Sequence, residues 1–423
     1  MSSSQPVRAA AWTPPPRPEW VSRVNQEGSF LDIRSVVPLD ENSLLATARQ
    51  NTGLDDFGPE DWITPFRRLI QSLDEEANHN FLGRVMTRSD LLIYLEARLQ
   101  IQDWYNRHPE IADEEIAKPI LILGQGRAGT SGLIHLLSKD PDNATLLTWE
   151  MMFPCPPPEA ATYATDARIE MADRLTNMRT RICPELAQSQ LWAGDLPTEM
   201  IYLRAISFMA PIFFDTVVGQ VPSYSDWALQ QDFVPVFEYE KKILKLLQWR
   251  NPRRHWILKD PASISFIPQI LQVYPDIGFV WCHRDPVQAL SSMVSIIGRQ
   301  TYVRTDQPFA SNFRLLVDAE GAARALNRAI DWIEQGVLPK ERLCSVHYGD
   351  YAADPMSAVE QIYRHFGIAM TDRARAAMQR YTDENPRSAR PAHRYDTGPA
   401  ELISEERRAF ARYQSYFNVP TEL

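Results

Sequence analysis

The stretch Lys118 to Asp140, KPILILGQGRAGTSGLIHLLSKD, decides the fold. Its first part is a short apolar run of strand character, ILIL, and its last part, SGLIHLL, carries apolar residues at helical spacing. Between them stand Gly124, Gln125, Gly126, Arg127, Ala128, Gly129, Thr130 and Ser131, a glycine-rich turn that closes a strand and opens a helix. In that setting the backbone can approach a ligand, several N–H groups point inward, and the helix N-terminus adds roughly half a positive charge. An anion site is the natural reading, with a plain tight turn as the alternative. The nucleotide triphosphatase pattern G-x-x-x-x-G-K-[ST] fits only in part, because Thr130 stands where the phosphate-binding lysine belongs. Ordinary ATP or GTP chemistry is therefore disfavoured.

Upstream, from about Asp40 to Ile116, apolar residues recur at three and four, as in LLATARQNTGL, WITPFRRLIQSL and RSDLLIYLEARLQIQDWY, which predicts an all-helical layer. Downstream, the short runs ATLLTW, HWILK, IGFVWCH and LCSVHY alternate with helical stretches such as FVPVFEYEKKILKLLQW. That alternation predicts an α/β fold: a mostly parallel sheet, P-loop-like, flanked by helices and preceded by the helical layer. The expected division is a tail and helical layer over 1–115 and an α/β domain over 116–423.

The bulk numbers set limits on function. The chain has 423 residues, 44% hydrophobic and 23% charged, which is ordinary globular composition. A net charge of -10 speaks against a general nucleic-acid binder, so a site for an anion must gather its cations locally. Cys155, Cys183, Cys282 and Cys344 show neither zinc-site spacing nor disulfide density, and read as buried thiols in a reducing, cytoplasmic setting. The opening MSSSQPVRAAAWTPPPRPEW is proline-rich without an apolar core, which predicts a loose tail rather than a signal peptide. AISFMAPIFF, Ala205 to Phe214, is too short to span a membrane, so no transmembrane segment is expected. A homodimer is left open as the assembly.

Taken with later segments, the loop resembles that of the sulfotransferases that use 3'-phosphoadenosine-5'-phosphosulfate (PAPS), particularly a bacterial branch whose loop reads G-x-x-R-[TS]-G-T-T. Here it reads GQGRAGTS, with Ala128 in place of a hydroxyl residue and Ser131 in place of threonine. By that resemblance Gly126, Arg127, Ala128, Gly129, Thr130 and Ser131 hold the 5'-phosphosulfate, and Arg127 contacts the transferring sulfonate. A second block, HWILKDPASISFIPQILQVYPDIGFVWCHRDPVQALSSMVS, is similar to the family pattern W-x-L-K-x-P, Y-P-D and H-R-D-P. It implies that Lys259 stands beside the sulfonate, and that Arg284 with Ser292, eight residues on, binds the 3'-phosphate. Arginine's fork suits a phosphate, although a surface ion pair with Asp285 is the structural alternative. VHYGDYAADP resembles the family's strand ending in a tyrosine near the adenine, here Tyr348, and NPRSARPAHRY resembles a basic loop that closes over the cofactor, here through Arg387 and Arg390 but without the usual glycine.

Sulfuryl transfer needs in-line geometry, cations on the charged oxygens and a base for the acceptor proton. Arg127 and Lys259 supply cations, and no metal is expected. Family members often carry a histidine just after the lysine, where this chain reads KDPASIS. Glu150, in a tryptophan-glutamate segment similar to that of the bacterial branch and placed at the end of an expected second strand ATLLTW, is the preferred base. Asp260 is the alternative. The expected activity is transfer from PAPS to a hydroxyl of a small, lipophilic acceptor bound by a helical insert over about 185–250, whose segment MIYLRAISFMAPIFFDTVVGQVPSYSDW is rich in aromatic and branched residues. A small-molecule kinase of the P-loop type and a non-catalytic nucleotide-binding relative are the competing readings.

Overall fold

The chain builds a five-stranded sheet around the Lys118–Asp140 unit. In the computed structural model, which describes residues 7–189, 191–252, 255–310, 314–386 and 395–423, the strands are β1 (Ile120–Gly124), β2 (Asn143–Ala144), β3 (His255–Lys259), β4 (Gly278–His283) and β5 (Leu343–His347). Their order is β2-β3-β1-β4-β5, and every pair is parallel. Leu121 lies opposite Leu258 on one side and Phe279 on the other. The chain winds from β1 outward to β2 and β3 and then crosses to β4, so the neighbours of β1 leave its C-terminal end in opposite directions. Ligands of open α/β sheets bind in that crevice.

Both sheet faces are covered, which is why the strands read as unbroken apolar runs rather than alternating ones. Leu121, Leu123, Leu258, Phe279 and Trp281 enter a large core shared with the N-terminal helices. Ile120, Ile122, Ile257, Val280 and Cys282 enter a second core beneath the helices Thr130–Leu137 and Pro355–Phe366. The N-terminal layer consists mainly of Glu41–Thr52, Ile63–Glu75 and Phe81–Arg107. Asp40 and Asn80 start two of these helices by accepting the N–H groups of Ser43 and Gly83, each at 2.9 Å. Trp62 and Phe66 of this layer meet Phe208 at ring distances of 5.8 and 4.9 Å, joining the layer to the segment before the site.

Two local expectations are corrected. Of the expected second strand ATLLTW only Ala144, together with Asn143 before it, pairs with β3, and the chain then enters the helix Thr148–Met152. β2 is an edge strand, and the backbone beyond it bonds elsewhere: Thr198 donates to the Leu146 carbonyl and Thr148 to that of Leu196. The expected loose tail is docked from residue 7 onward. Arg8 forms a buried ion pair with Glu406 at 2.6 Å, and Trp12 packs edge-on to Phe309. Partners about 300 to 400 positions away in the chain explain why that docking is invisible in the tail's own residues. The apolar segment around Phe208 folds into two short pieces, Ile201–Ser207 and Pro211–Val218, meeting at 102°; among the described residues no single helix is long and apolar enough to cross a membrane.

Candidate functional site

Three strand ends bring the cations together. The turn after β1 carries Arg127 in a left-handed conformation (φ 76°), and Gly129 (φ 95°) caps the helix Thr130–Leu137. A side chain at residue 129 would put its Cβ 2.8 Å from the Tyr348 ring, and one at residue 126 would collide with Met293. Glycine is thus required at 129, where the left-handed backbone lies against the Tyr348 ring, whereas at 126 the Met293 methyl would have to move aside. The first turn of Thr130–Leu137 leaves its N–H groups without intrahelical partners, facing the loop.

Arg127 Nε donates to Ser292 Oγ at 3.0 Å, while Arg284 Nη1 donates to the Arg127 carbonyl at 3.2 Å. Among the described residues no carboxylate comes within ion-pair distance of Arg127. Burial holds its guanidinium below the usual pKa, and the neighbouring Arg284 cation acts in the same direction. A part-buried cation without a countercharge beside a glycine loop is what a phosphate or sulfonate would complete. Lys259, 2% exposed at the end of β3, reaches Ser131 Oγ at 3.1 Å and Glu199 Oε1 at 2.7 Å.

Beside these groups opens a cavity of about 160 Å³. Glu199, Arg127 and Ser131 stand at its polar end, and Tyr202, Phe213, Ile264, Ile297 and Leu326 are among its apolar walls. Glu199 is held in place by its neighbours: Thr198 N–H donates to Leu146 O at 2.8 Å and Met200 N–H to Lys259 O at 2.9 Å. A glycine cradle, two cations, a carboxylate and an apolar chamber therefore share one sheet edge.

The sulfotransferase family model matches residues 119–372, which cover the loop, the lysine, the arginine after β4 and the cavity. The chain belongs to the sulfotransferase family. It is an enzyme, and members of this family generally take the sulfuryl group from PAPS and act on small-molecule acceptors. Among solved structures the sulfotransferase is similar to STF1 from Mycobacterium tuberculosis, at 27% identity over 88% of this chain and 98% of that one, with a TM-score of 0.74. It is also similar to STF9 from Mycobacterium avium, at 25% identity over 90% of this chain and 97% of that one, again with a TM-score of 0.74. Comparison with curated proteins gives no match.

The structure of this sulfotransferase gathers Gly126, Arg127, Ala128, Gly129, Thr130, Ser131, Lys259, Arg284, Ser292 and Tyr348 at the C-terminal sheet edge. Tyr348 follows β5 and lies under the Arg284 guanidinium, 4.2 Å from ring centre to Cζ. Arg387 and Arg390 lie outside the described residues. The two carboxylates singled out as bases are placed differently from the expectation. Glu150 sits in the first turn of Thr148–Met152, fully buried, and does not line the cavity; one oxygen accepts the Leu147 N–H and the other the Tyr163 hydroxyl, both at 2.9 Å. It acts there as a helix cap. Asp260 is also fully buried, where it pairs with Arg204 and accepts from Ser263 Oγ at 2.7 Å and Ala262 N at 3.1 Å. Glu199 was missed by sequence reasoning. Its one signal is position, as a carboxylate in DLPTEMIY immediately before the segment expected to line the acceptor pocket.

Proposed function

We propose that this enzyme transfers the sulfuryl group of PAPS to the hydroxyl of a lipophilic small molecule, with Glu199 as the base. The observation that carries the reading is that Arg127 and Glu199 line one apolar cavity while Lys259 donates to Glu199 from the end of β3. The residues present fit the donor: the loop N–H groups and Ser131 suit the 5'-phosphate, and Arg284 with Ser292 suits the 3'-phosphate. PAPS supplies an activated S–O bond.

This chain's residues supply the rest. Arg127 and Lys259 face the charge that grows on the bridging and equatorial oxygens as that bond breaks, which favours the transition state over the ground state. Lys259 leans on Glu199 in this structure, and an incoming anion on the loop competes for the ammonium, which frees the carboxylate to take the acceptor's hydroxyl proton. The acceptor oxygen bonds to sulfur, the bond from sulfur to the 5'-phosphate oxygen breaks, and the proton stays on Glu199. The apolar walls exclude water, which would otherwise take the sulfuryl group. A volume of about 160 Å³ is close to the roughly 150 Å³ that holds a benzene molecule, so a single ring or a branched alkyl end fits. A phenol or a lipid-like alcohol is the acceptor class. Four buried, unpaired cysteines are in keeping with a reducing compartment such as the cytoplasm.

The test is thermal. The desulfated product 3'-phosphoadenosine-5'-phosphate (PAP) should raise the melting temperature at concentrations where ATP, with or without magnesium, does not. Stabilisation by ATP alone would instead favour the kinase reading, which Thr130 at the lysine position speaks against.

A further inference from the structure

Arg284 already holds an anion, and it comes from the protein itself. After the helix Ala400–Phe417, Asn418 adopts a left-handed turn (φ 52°), and the chain returns to the sheet edge. Arg284 Nε donates to the two carboxylate oxygens of Glu422 at 2.9 and 3.1 Å, and Nη2 donates to Oε2 at 2.7 Å. This is the forked contact that arginine makes with a phosphate.

The tail is held there by groups other than the Glu422 side chain. Asp285, fully buried, accepts the backbone N–H of Glu422 at 2.6 Å and of Leu423 at 3.3 Å. Arg407 bridges the same carboxylate at 3.1 Å and the Leu423 carbonyl at 3.2 Å. Backbone anchoring leaves the Glu422 carboxylate, one-third exposed, able to swing off Arg284 while the tail stays docked. Arg284, Asp285, His347, Tyr348, Asn418 and Glu422 line one cleft, so a ligand entering it meets the ion pair directly.

We propose that Glu422 is a built-in stand-in for the 3'-phosphate of the nucleotide, surrendering Arg284 when that phosphate arrives and recovering it when the nucleotide leaves. The proposal rests on the donor reading above. Binding is then an exchange of anions on one guanidinium rather than the filling of a bare cation, so the net gain from the 3'-phosphate is reduced. Donor and desulfated product carry the same 3'-phosphate, so the exchange weakens both and hastens product departure.

Isothermal titration of the full chain separates the possibilities, using PAP and adenosine 5'-phosphate, which lacks the 3' group, on wild type, Glu422→Gln and Glu422→Ala. Both variants should bind PAP about 10-fold more tightly, in line with the release of a charged hydrogen-bonded competitor, and adenosine 5'-phosphate with unchanged affinity. PAP binding by wild type with no gain in either variant overturns the stand-in while leaving the donor reading intact. An equal gain for both nucleotides also overturns it, since the tail would then obstruct the whole cleft. If wild type and variants all fail to bind PAP, the donor reading falls and the stand-in with it.

Discussion

Lys259 Nζ lies 2.7 Å from Glu199 Oε1 and 3.1 Å from Ser131 Oγ, so one ammonium is shared between the anion loop and the carboxylate at the cavity mouth. On the proposed mechanism, loading of the loop and release of the base are thereby coupled through a single side chain. Glu199→Gln should keep PAP affinity and lower kcat by about 10²–10⁴, the usual span for general-base catalysis. Glu150→Gln should do the opposite. Its helix cap and its bond to Tyr163 weaken, the melting temperature drops, and kcat changes by no more than a few-fold. Single-turnover rates and PAP titrations on the two variants decide between them, and the reverse pattern would return the base to Glu150.

Arg127→Ala and Lys259→Ala should lower kcat far more than they weaken PAP binding. On the proposed mechanism both cations face oxygens whose charge increases as the S–O bond breaks, whereas PAP has no sulfonate to contact them. Parallel losses in kcat and in affinity would reduce them to binding residues.

Much of this site was legible because its residues lie close to strand ends in sequence. Arg127, Lys259, Arg284 and Tyr348 each fall at or just after an apolar run, and parallel winding brings such ends to one edge. Glu199 and Glu422 were not legible in that way. Each reaches the edge through long-range contacts, Glu199 by backbone bonds to Leu146 and Lys259, Glu422 by backbone bonds to Asp285. Glu150 misled for a related reason: β2 has a partner on one side only and ends after two residues, so a carboxylate expected at a strand end became a helix cap. In the fold, the β1, β3, β4 and β5 runs were recognisable from composition, whereas docking of Arg8 against Glu406 depended on tertiary structure.

Arg284→Ala should weaken PAP binding by about 10-fold in wild type and by about 100-fold in the Glu422→Gln background, about 1.4 and 2.7 kcal/mol, the order of charged hydrogen bonds. In wild type the mutation removes a contact for which the phosphate must compete with Glu422. In the variant background it removes an uncontested one. A double-mutant cycle on the titration data reads the difference, and strict additivity would mean that Glu422 and the phosphate do not share the arginine.

Arg204→Met should be costly to stability without touching a ligand. Arg204 is buried between Glu240, at 2.8 Å, and Asp260, and it also reaches Ser263 at 2.7 Å. Removing the cation strands two carboxylates in the core, a loss of about 3–5 kcal/mol. Asp260 N–H bonds to the Ile122 carbonyl at 2.9 Å, so disorder there would propagate to Lys259 and the loop strand. Chemical denaturation should show a lower midpoint, and saturating PAP should restore part of it by mass action.

The cavity's far wall gives the test of acceptor class. Ala322 and Ala325 lie on the helix Ala319–Glu334 and face the same chamber as Phe213, Ile297 and Leu326. Small residues there leave the room that a ring or branched alkyl end would occupy. Ala325→Trp should fill much of it, raising KM for a lipophilic phenol or alcohol by at least about 10-fold while leaving PAP affinity unchanged, since Arg284 lies in a separate cleft. The gain per buried area, about 25 cal/mol per Å², makes a loss of that size equivalent to roughly 55 Å² of acceptor surface no longer covered. Simple sugars and basic peptides, which would not seek an apolar chamber, serve as controls in the same assay. If wild type sulfates those in preference to phenols, and Ala325→Trp leaves that activity intact, the chamber is part of the core and the acceptor binds elsewhere along the sheet edge.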